Sequence, residues 1–460
     1  MGYGILLNII MNKFEMRTMP QIEFIRKSNL LQTLLEATAT QLGAATGFVK
    51  RESKMTASKF AISLILGWLD KPQASLNDLV QVSEDVGVEI SESGLHQRMT
   101  PEAVAFLESL LEKSIELMNN TAGLSDEVLH QFGAVYLIDS TLITLPEVMQ
   151  AAFAGFASQG SEAAMRFQLC FDYLRGNVCA LEAGPGREND QSSTLIERMI
   201  AAGCLFLFDL GYFNQDTLAK IAEGSAFFVS RYKYGTHLYL KVEDQTPFDL
   251  LAVLQQTQAD RYEQIGYLGS RQRLKVRLVA QRLAPEVVAQ RRRKARQAAH
   301  KKGHTPSAAY LNLLAWSIYI TNTTTQQLSL EQMMTFYRVR WQIELIFKVW
   351  KSQAKLAQVG DYRPERVLCQ LFARLIGLIL FHWLIAPWRV TEDGELSMTK
   401  AFNNLQRHIT RLLDSIAHGW QTTPIILARI TQAFLKHGHK DKRRKKPSTF
   451  QRLTAKEGLA

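Results

Sequence analysis

Cysteine is scarce. Cys170, Cys179, Cys204 and Cys369 are the whole complement of a 460-residue chain, and no two stand in C-x-x-C spacing. That excludes a disulfide framework and a cysteine zinc site, and fits buried thiols in a reducing compartment. Long apolar runs are lacking too. The most apolar later stretch, Leu375 to Trp388, is about 14 residues long, flanked by Arg374 and Arg389 and interrupted by His382, whereas a bilayer span needs roughly 20. It reads as a buried core helix, so no membrane role is expected. The opening MGYGILLNII is apolar but has no basic region before it and no clear cleavage site, which argues against a signal peptide. Leu6 stands where a myristoylation motif needs Ser or Thr, and Met11 is an alternative start. No internal repeat is visible.

Positive charge, by contrast, is plentiful. The formal net charge is +11 at pH 7 and the pI is about 9.4. The basic residues cluster, as in "RRRKARQAAHKKGH" and "KHGHKDKRRKKPSTF". Such a balance favours a polyanionic partner, nucleic acid above all. The chain is too long for one compact core, and its 47% hydrophobic residues suffice for several.

The pattern divides the chain into five stretches. Residues 1–128 read as helical. Within them, a helix around Leu76, Leu79 and Val80 is followed by a turn at Val86-Gly87-Val88. A second helix is capped by Ser91, and a third starts at Thr100-Pro101. Helix, glycine turn, helix is the outline of a helix-turn-helix, with Ser93, His96, Gln97 and Arg98 expected on its outer face. Residues 129–232 alternate between apolar strands and helices. "AVYLIDSTLITL" is a strand longer than usual, and "RFQLCFDYLRGNVCALEA" is a hairpin. "SSTLIERMIAAG" is an amphipathic helix closed by Gly203, and "CLFLFDLGY" is a short strand ending at Asp209. That implies an α/β core with a mixed sheet. Residues 233–312 interrupt it with short strands and a very basic stretch, whose ordinary meaning is a solvated face or an arm. Residues 313–388 resume the core, with a capping box at Ser329 and Gln332. Residues 389–460 are helical and end in a basic tail.

Two aspartates follow apolar runs: Asp139 after Val135–Ile138, and Asp209 after Leu205–Phe208. A carboxylate beside buried residues is costly unless paired, hydrogen-bonded or metal-bound, and both are expected at strand ends. The third acid is Glu344, in "YRVRWQIELIFKVWKSQ". With Tyr337 at zero on a helical wheel, Arg340 falls at about −60°, Glu344 at about −20° and Lys351 at about −40°. Phe336, Val339, Ile343, Ile346, Phe347 and Trp350 fall at roughly 180° to 280°, a separate apolar stripe. The polar face is one acid among bases; surface ion pairing would also produce it. Three hard-oxygen groups from separate segments suit Mg²⁺ or Mn²⁺, and two such ions suit phosphoryl transfer.

Tyr337-x₂-Arg340-x₃-Glu344-x₆-Lys351 resembles the Y-R-E-K signature of cut-and-paste DDE transposases of the insertion-sequence group "four". Asp139-Ser140-Thr141 resembles that group's leading D-S-T motif, and Asp209 its second acid. The likeness runs from about residue 70 to about 400. It implies an RNase H-like sheet interrupted by a β-rich insertion, between helical N- and C-terminal regions. It further implies catalysis by Asp139, Asp209 and Glu344 holding Mg²⁺ or Mn²⁺ as two ions. Tyr337, Arg340 and Lys351 would contact DNA phosphates. Trp316 would stack a flipped base, although it lies in an apolar strand where core packing is equally expected. The implied partners are transposon ends and target DNA, bound by a homodimer, in a bacterial cytoplasm near the nucleoid. Two other readings compete: an RNase H-like nuclease or resolvase without strand transfer, and a domesticated DNA-binding regulator.

Overall fold

The computed structural model describes residues 21–119, 131–156, 161–360, 363–391 and 393–441. The N-terminal twenty residues, with the alternative start, and the basic tail after Asp441 lie outside them.

The N-terminal helices begin where short polar side chains can cap them. Thr56 accepts from Lys59 N–H, Ser75 and Asp78 form a capping box, Ser91 accepts from Gly94 N–H, and Thr100 caps a helix with Pro101 in its first turn. Helix Leu76–Asp85 and helix Glu92–Gln97 flank a turn at Gly87, whose φ of +77° suits glycine. The second of these helices has six residues. Ser93 and Gln97 are exposed on it, but His96 and Arg98 are half-buried. His96 is thus turned inward from its expected outer position, with Nε2 buried and unpartnered.

A ten-stranded sheet is the centre of the molecule. Its strands are β1 (Ala134–Thr144), β2 (Ala154–Phe156), β3 (Ser161–Asp172), β4 (Asn177–Pro185), β5 (Cys204–Phe208), β6 (Phe227–Arg231), β7 (Leu238–Tyr239), β8 (Arg261–Leu268), β9 (Leu274–Arg282) and β10 (Trp316–Thr321). The order is β2-β3-β1-β5-β6-β10-β9-β8-β7, with β4 also on β3. The stretch β4-β3-β1-β5-β6 is antiparallel up to β1, then parallel. That is the RNase H-like arrangement.

Strand β1 is long because it serves two neighbours. Residues Ala134 to Ile138 pair in parallel with β5, while Tyr136 to Thr144 pair antiparallel with β3. Asp139 is therefore not at a strand end, as the sequence suggested. It lies mid-strand, opposite Leu169, and is the first residue beyond the reach of β5. Asp209 does follow the end of its strand. The helix expected in "SSTLIERMIAAG" shrinks to Leu195–Arg198: Ser193 and Thr194 bond Glu182 before it, and after it the ladder tightens to bonds from Met199 N–H to Ile196 O and from Ile200 N–H to Glu197 O.

The segment between β6 and β10, expected to be β-rich, adds β7, β8 and β9 to the same sheet but holds more helix than strand. Its basic run forms helix Pro285–Lys301. The two sheet faces have separate cores. One joins the N-terminal helices, the glutamate helix and the C-terminal helices in a single apolar cluster. The other packs Leu195, Phe206, Phe208, Phe228 and Trp316. Helix Pro364–Ile385 runs through the first. It exceeds the 14-residue apolar run because Val367, Leu371 and Phe372 are also buried. The segment Pro364–Trp388 is long and apolar enough to cross a membrane, but 89% of its most apolar window is buried inside the protein.

Candidate active site

The register of β1 on β5 sets Ile138 beside Phe208, so the next residues, Asp139 and Asp209, leave the parallel pair side by side. Glu344 comes to them from above, in the first turn of helix Trp341–Ser352, which packs on β1. Its apolar stripe is as the spacing requires: Ile343, Ile346, Phe347 and Trp350 are buried.

The single long helix expected from Tyr337 to Gln353 is instead two. Helix Leu330–Val339 starts at the Ser329–Gln332 capping box and stops at Arg340; the next begins at Trp341. No proline or glycine lies there. The ladder tightens to a bond from Ile343 N–H to Arg340 O at 3.2 Å. Arg340 thereby points into the site. It donates to Asp139 Oδ2 at 3.2 Å and to Glu344 Oε1 at 2.9 Å. Its side chain is 12% exposed, and its Nε is buried without a partner.

Burial raises the Asp139 carboxyl to about 6, a rise opposed by the Ser140 N–H and Arg340 and reinforced by Asp209 and Glu344. Asp139 therefore feels both other acids in a site closed by one guanidinium. The donor set is all oxygen, with no His or Cys, and its crowded negative charge fits a hard divalent ion. Among the described residues no three of His, Cys, Asp and Glu converge on one point; Arg340 lies between Asp139 and Glu344.

Tyr337 is buried, contrary to the polar face expected of it. Its ring packs on Tyr319 at 5.0 Å and under the Arg340 guanidinium at 5.9 Å. Its hydroxyl is buried and has no partner; burial, then Asp209, raise its pKa. Lys351 is half-buried, and burial lowers its pKa. It lies two turns from Glu344, about 10 Å along the helix. Trp316 is not with them. It is 5% exposed in the second core, with the Arg282 guanidinium 4.4 Å above its ring. A flipped base would have to displace that cover, so the structure favours the packing role.

Two further residues brace the site. Arg166 donates to Ser140 Oγ at 2.9 Å and to Asp190 Oδ1 at 2.8 Å, and Ser140 Oγ donates to Asp190 at 2.7 Å. The Ser140 N–H, held by this trio, donates to Asp139 Oδ1 at 2.8 Å. An arginine inside the apolar run "RFQLCF" was a signal for Arg166. Asp190, in a polar loop, offered none.

The family described as "Transposase DDE domain" matches residues 130–380. The chain belongs to the DDE transposase family. It is thus an enzyme of DNA cleavage and strand transfer, with DNA as its partner, in a family that generally uses divalent metals. The transposase of insertion sequence IS231D from Bacillus thuringiensis subsp. finitimus is 30% identical over 92% of each chain. That of IS231B from Bacillus thuringiensis subsp. berliner is 29% identical over the same share. That of IS1151 from Clostridium perfringens is 27% identical over 88% of this chain and 90% of the relative. Among solved structures, a piggyBac transposase synaptic complex with hairpin DNA aligns with a TM-score of 0.45 and 11% identity, over 91% of this chain and 86% of that one.

Proposed function

We propose that this chain moves an insertion sequence by a cut-and-paste route. A homodimer binds the terminal inverted repeats and cuts one strand at each end. The released 3′-OH then attacks the opposite strand or the target DNA. The carrying observation is that Asp139 and Asp209 follow paired residues of two adjacent parallel strands, and that Arg340 bonds both Asp139 and Glu344. These acids would hold Mg²⁺ or Mn²⁺, as two ions. When bound, such ions polarise the phosphoryl oxygens and stabilise the attacking and leaving oxygens.

The remaining roles follow from the chain itself. Lys351 offers positive charge to a phosphodiester, and Arg340, now paired with Asp139 and Glu344, can leave these carboxylates for a phosphate bidentately. The unpartnered Tyr337 hydroxyl, close to Asp209, is a ready donor. The Arg166–Asp190–Ser140 trio fixes the rotamer of Asp139. The test is to incubate the protein with Mg²⁺ and duplexes carrying the repeats that flank its gene. Joined products support the proposal, cut products alone mean a nuclease, and a shifted band alone means a binder.

A further inference from the structure

The charge of helix Pro285–Lys301 is not spread evenly round it. Arg291 donates to Trp316 O at 3.3 Å and Ser317 Oγ at 3.0 Å, and Arg292 to Leu311 O at 2.9 Å. With Arg291 at zero, Val288, Arg292, Ala295 and Ala299 fall at roughly 40° to 100°, the docked side. Arg293, Lys294, Arg296, His300 and Lys301 fall at roughly 140° to 300°. All five are exposed, and none is paired with a carboxylate among the described residues. The helix has one acid, Glu286. A groove beside it is lined by Lys294, Arg296, His300, Lys301 and His304 with no acid in the lining. A merely solvated face mixes both signs; an array of one sign repels itself and is the footprint of a polyanion site.

The sheet puts this array at the same edge as the acids. Strands β1, β5 and β6 are parallel, so their C-terminal ends share the edge that carries Asp139 and Asp209. Strand β10 is antiparallel to β6, with Tyr319 opposite Arg231, and so begins at that edge with Trp316. Strand β9 ends there, Arg282 opposite Trp316, and the basic helix follows. Arg231 stands between. Leu207 pairs with Val229, a register that carries Asp209 to Arg231. Arg231 is half-buried and has no carboxylate partner among the described residues. Its charge acts on both the Tyr337 hydroxyl and Arg291.

We propose that Arg231 and the outer face of helix Pro285–Lys301 form a backbone track for the duplex whose phosphate lies at Asp139, Asp209 and Glu344. This rests on the strand-cleavage reading above. A 17-residue helix is about 25 Å long, room for about seven base pairs at 3.4 Å each. Contacts to phosphates carry no sequence information directly, so the track serves any sequence.

The test is a salt titration of binding to a 40-base-pair duplex centred on the cut site at the end of the element. It compares the wild type with a variant combining Arg293→Gln, Lys294→Gln, Arg296→Gln and Lys301→Gln. Each lost contact removes about 0.9 from the slope of log K against log salt, so the slope should fall by about 3 to 4. A second variant exchanging Arg for Lys and Lys for Arg at the same positions should keep the wild-type slope, which separates charge from folding. An unchanged slope in the glutamine variant overturns the track, and so does a lost slope in the exchange variant. Failure of the wild type to cut the same duplex in Mg²⁺ overturns the strand-cleavage reading instead.

Discussion

One guanidinium, that of Arg340, touches two of the three acids, yet only the acids form the expected metal set. Asp139→Ala, Asp209→Ala and Glu344→Ala should each abolish cleavage while end binding persists, because the cations proposed to face DNA remain. Normal cutting by any one mutant removes that residue from the site. Trp316, packed under Arg282, should behave as a core residue. Trp316→Ala should cost about 3–5 kcal/mol, seen as a fall in melting temperature. A mutant that melts like wild type but stalls after the first nick would restore the stacking role. Lys27 is a separate case. It is 3% exposed with Nζ unpartnered, 4.8 Å from the Trp383 ring, and burial lowers its pKa from 10.5 to about 8. Between those values the unfolded chain binds the extra proton, so stability should rise with pH from about 8 to 10.5. Lys27→Met should remove that rise and stabilise most below pH 8, by on the order of 3 kcal/mol. Melting curves at pH 7 and pH 10.5 that shift equally would refute it.

At the scale of elements, spacing showed the acids, the apolar stripe and the capping boxes, because these depend on neighbours along the chain. It did not show the break at Arg340, whose side chain reaches a strand two hundred residues away. Nor did it show that Asp139 lies mid-strand. That depends on where β5 stops, a fact about the partner and not about β1. Tyr337 was misjudged for the same reason: the wheel gave its direction, but Tyr319 on β10 decides its burial. The helix still presents Arg340 and Lys351 on the side of Glu344. Arg340→Ala and Lys351→Ala should each lower the salt slope of end binding by about 0.9. An unchanged slope in both would leave them as ion-pairing surface residues.

Over the whole molecule, the sequence divided by composition what the fold unites by packing. The helical stretches at the two ends of the chain looked separate, but Gln21–Gln32 packs on Thr423–His437 and Ala57–Asp70 on Met398–Ala417, and Ala57–Asp70 and Pro101–Met118 also pack on Pro364–Ile385. Arg374, 3% exposed, ties them further, donating to Lys355 O at 2.8 Å, to Gln358 O at 2.9 Å and to Pro72 O. A chain beginning at residue 120 should therefore be insoluble, its 22-residue apolar helix uncovered. Recovery of a soluble, cooperatively melting fragment would show that the helical cores are independent.

The pairing of β9 with β10 also bears on how such a protein can vary. Strand β10, Trp-Ser-Ile-Tyr-Ile-Thr, is the kind of β-branched and aromatic segment that templates fibrils when its backbone is open. Strand β9 covers it over six residue pairs, and β8 beyond presents Arg261, Glu263 and Gln264 instead. The segment between β6 and β10 therefore guards against aggregation whatever else it does. Length changes are tolerable in its helices and loops, whereas loss of β9 would leave an adhesive rim in the same sheet as the proposed catalytic acids.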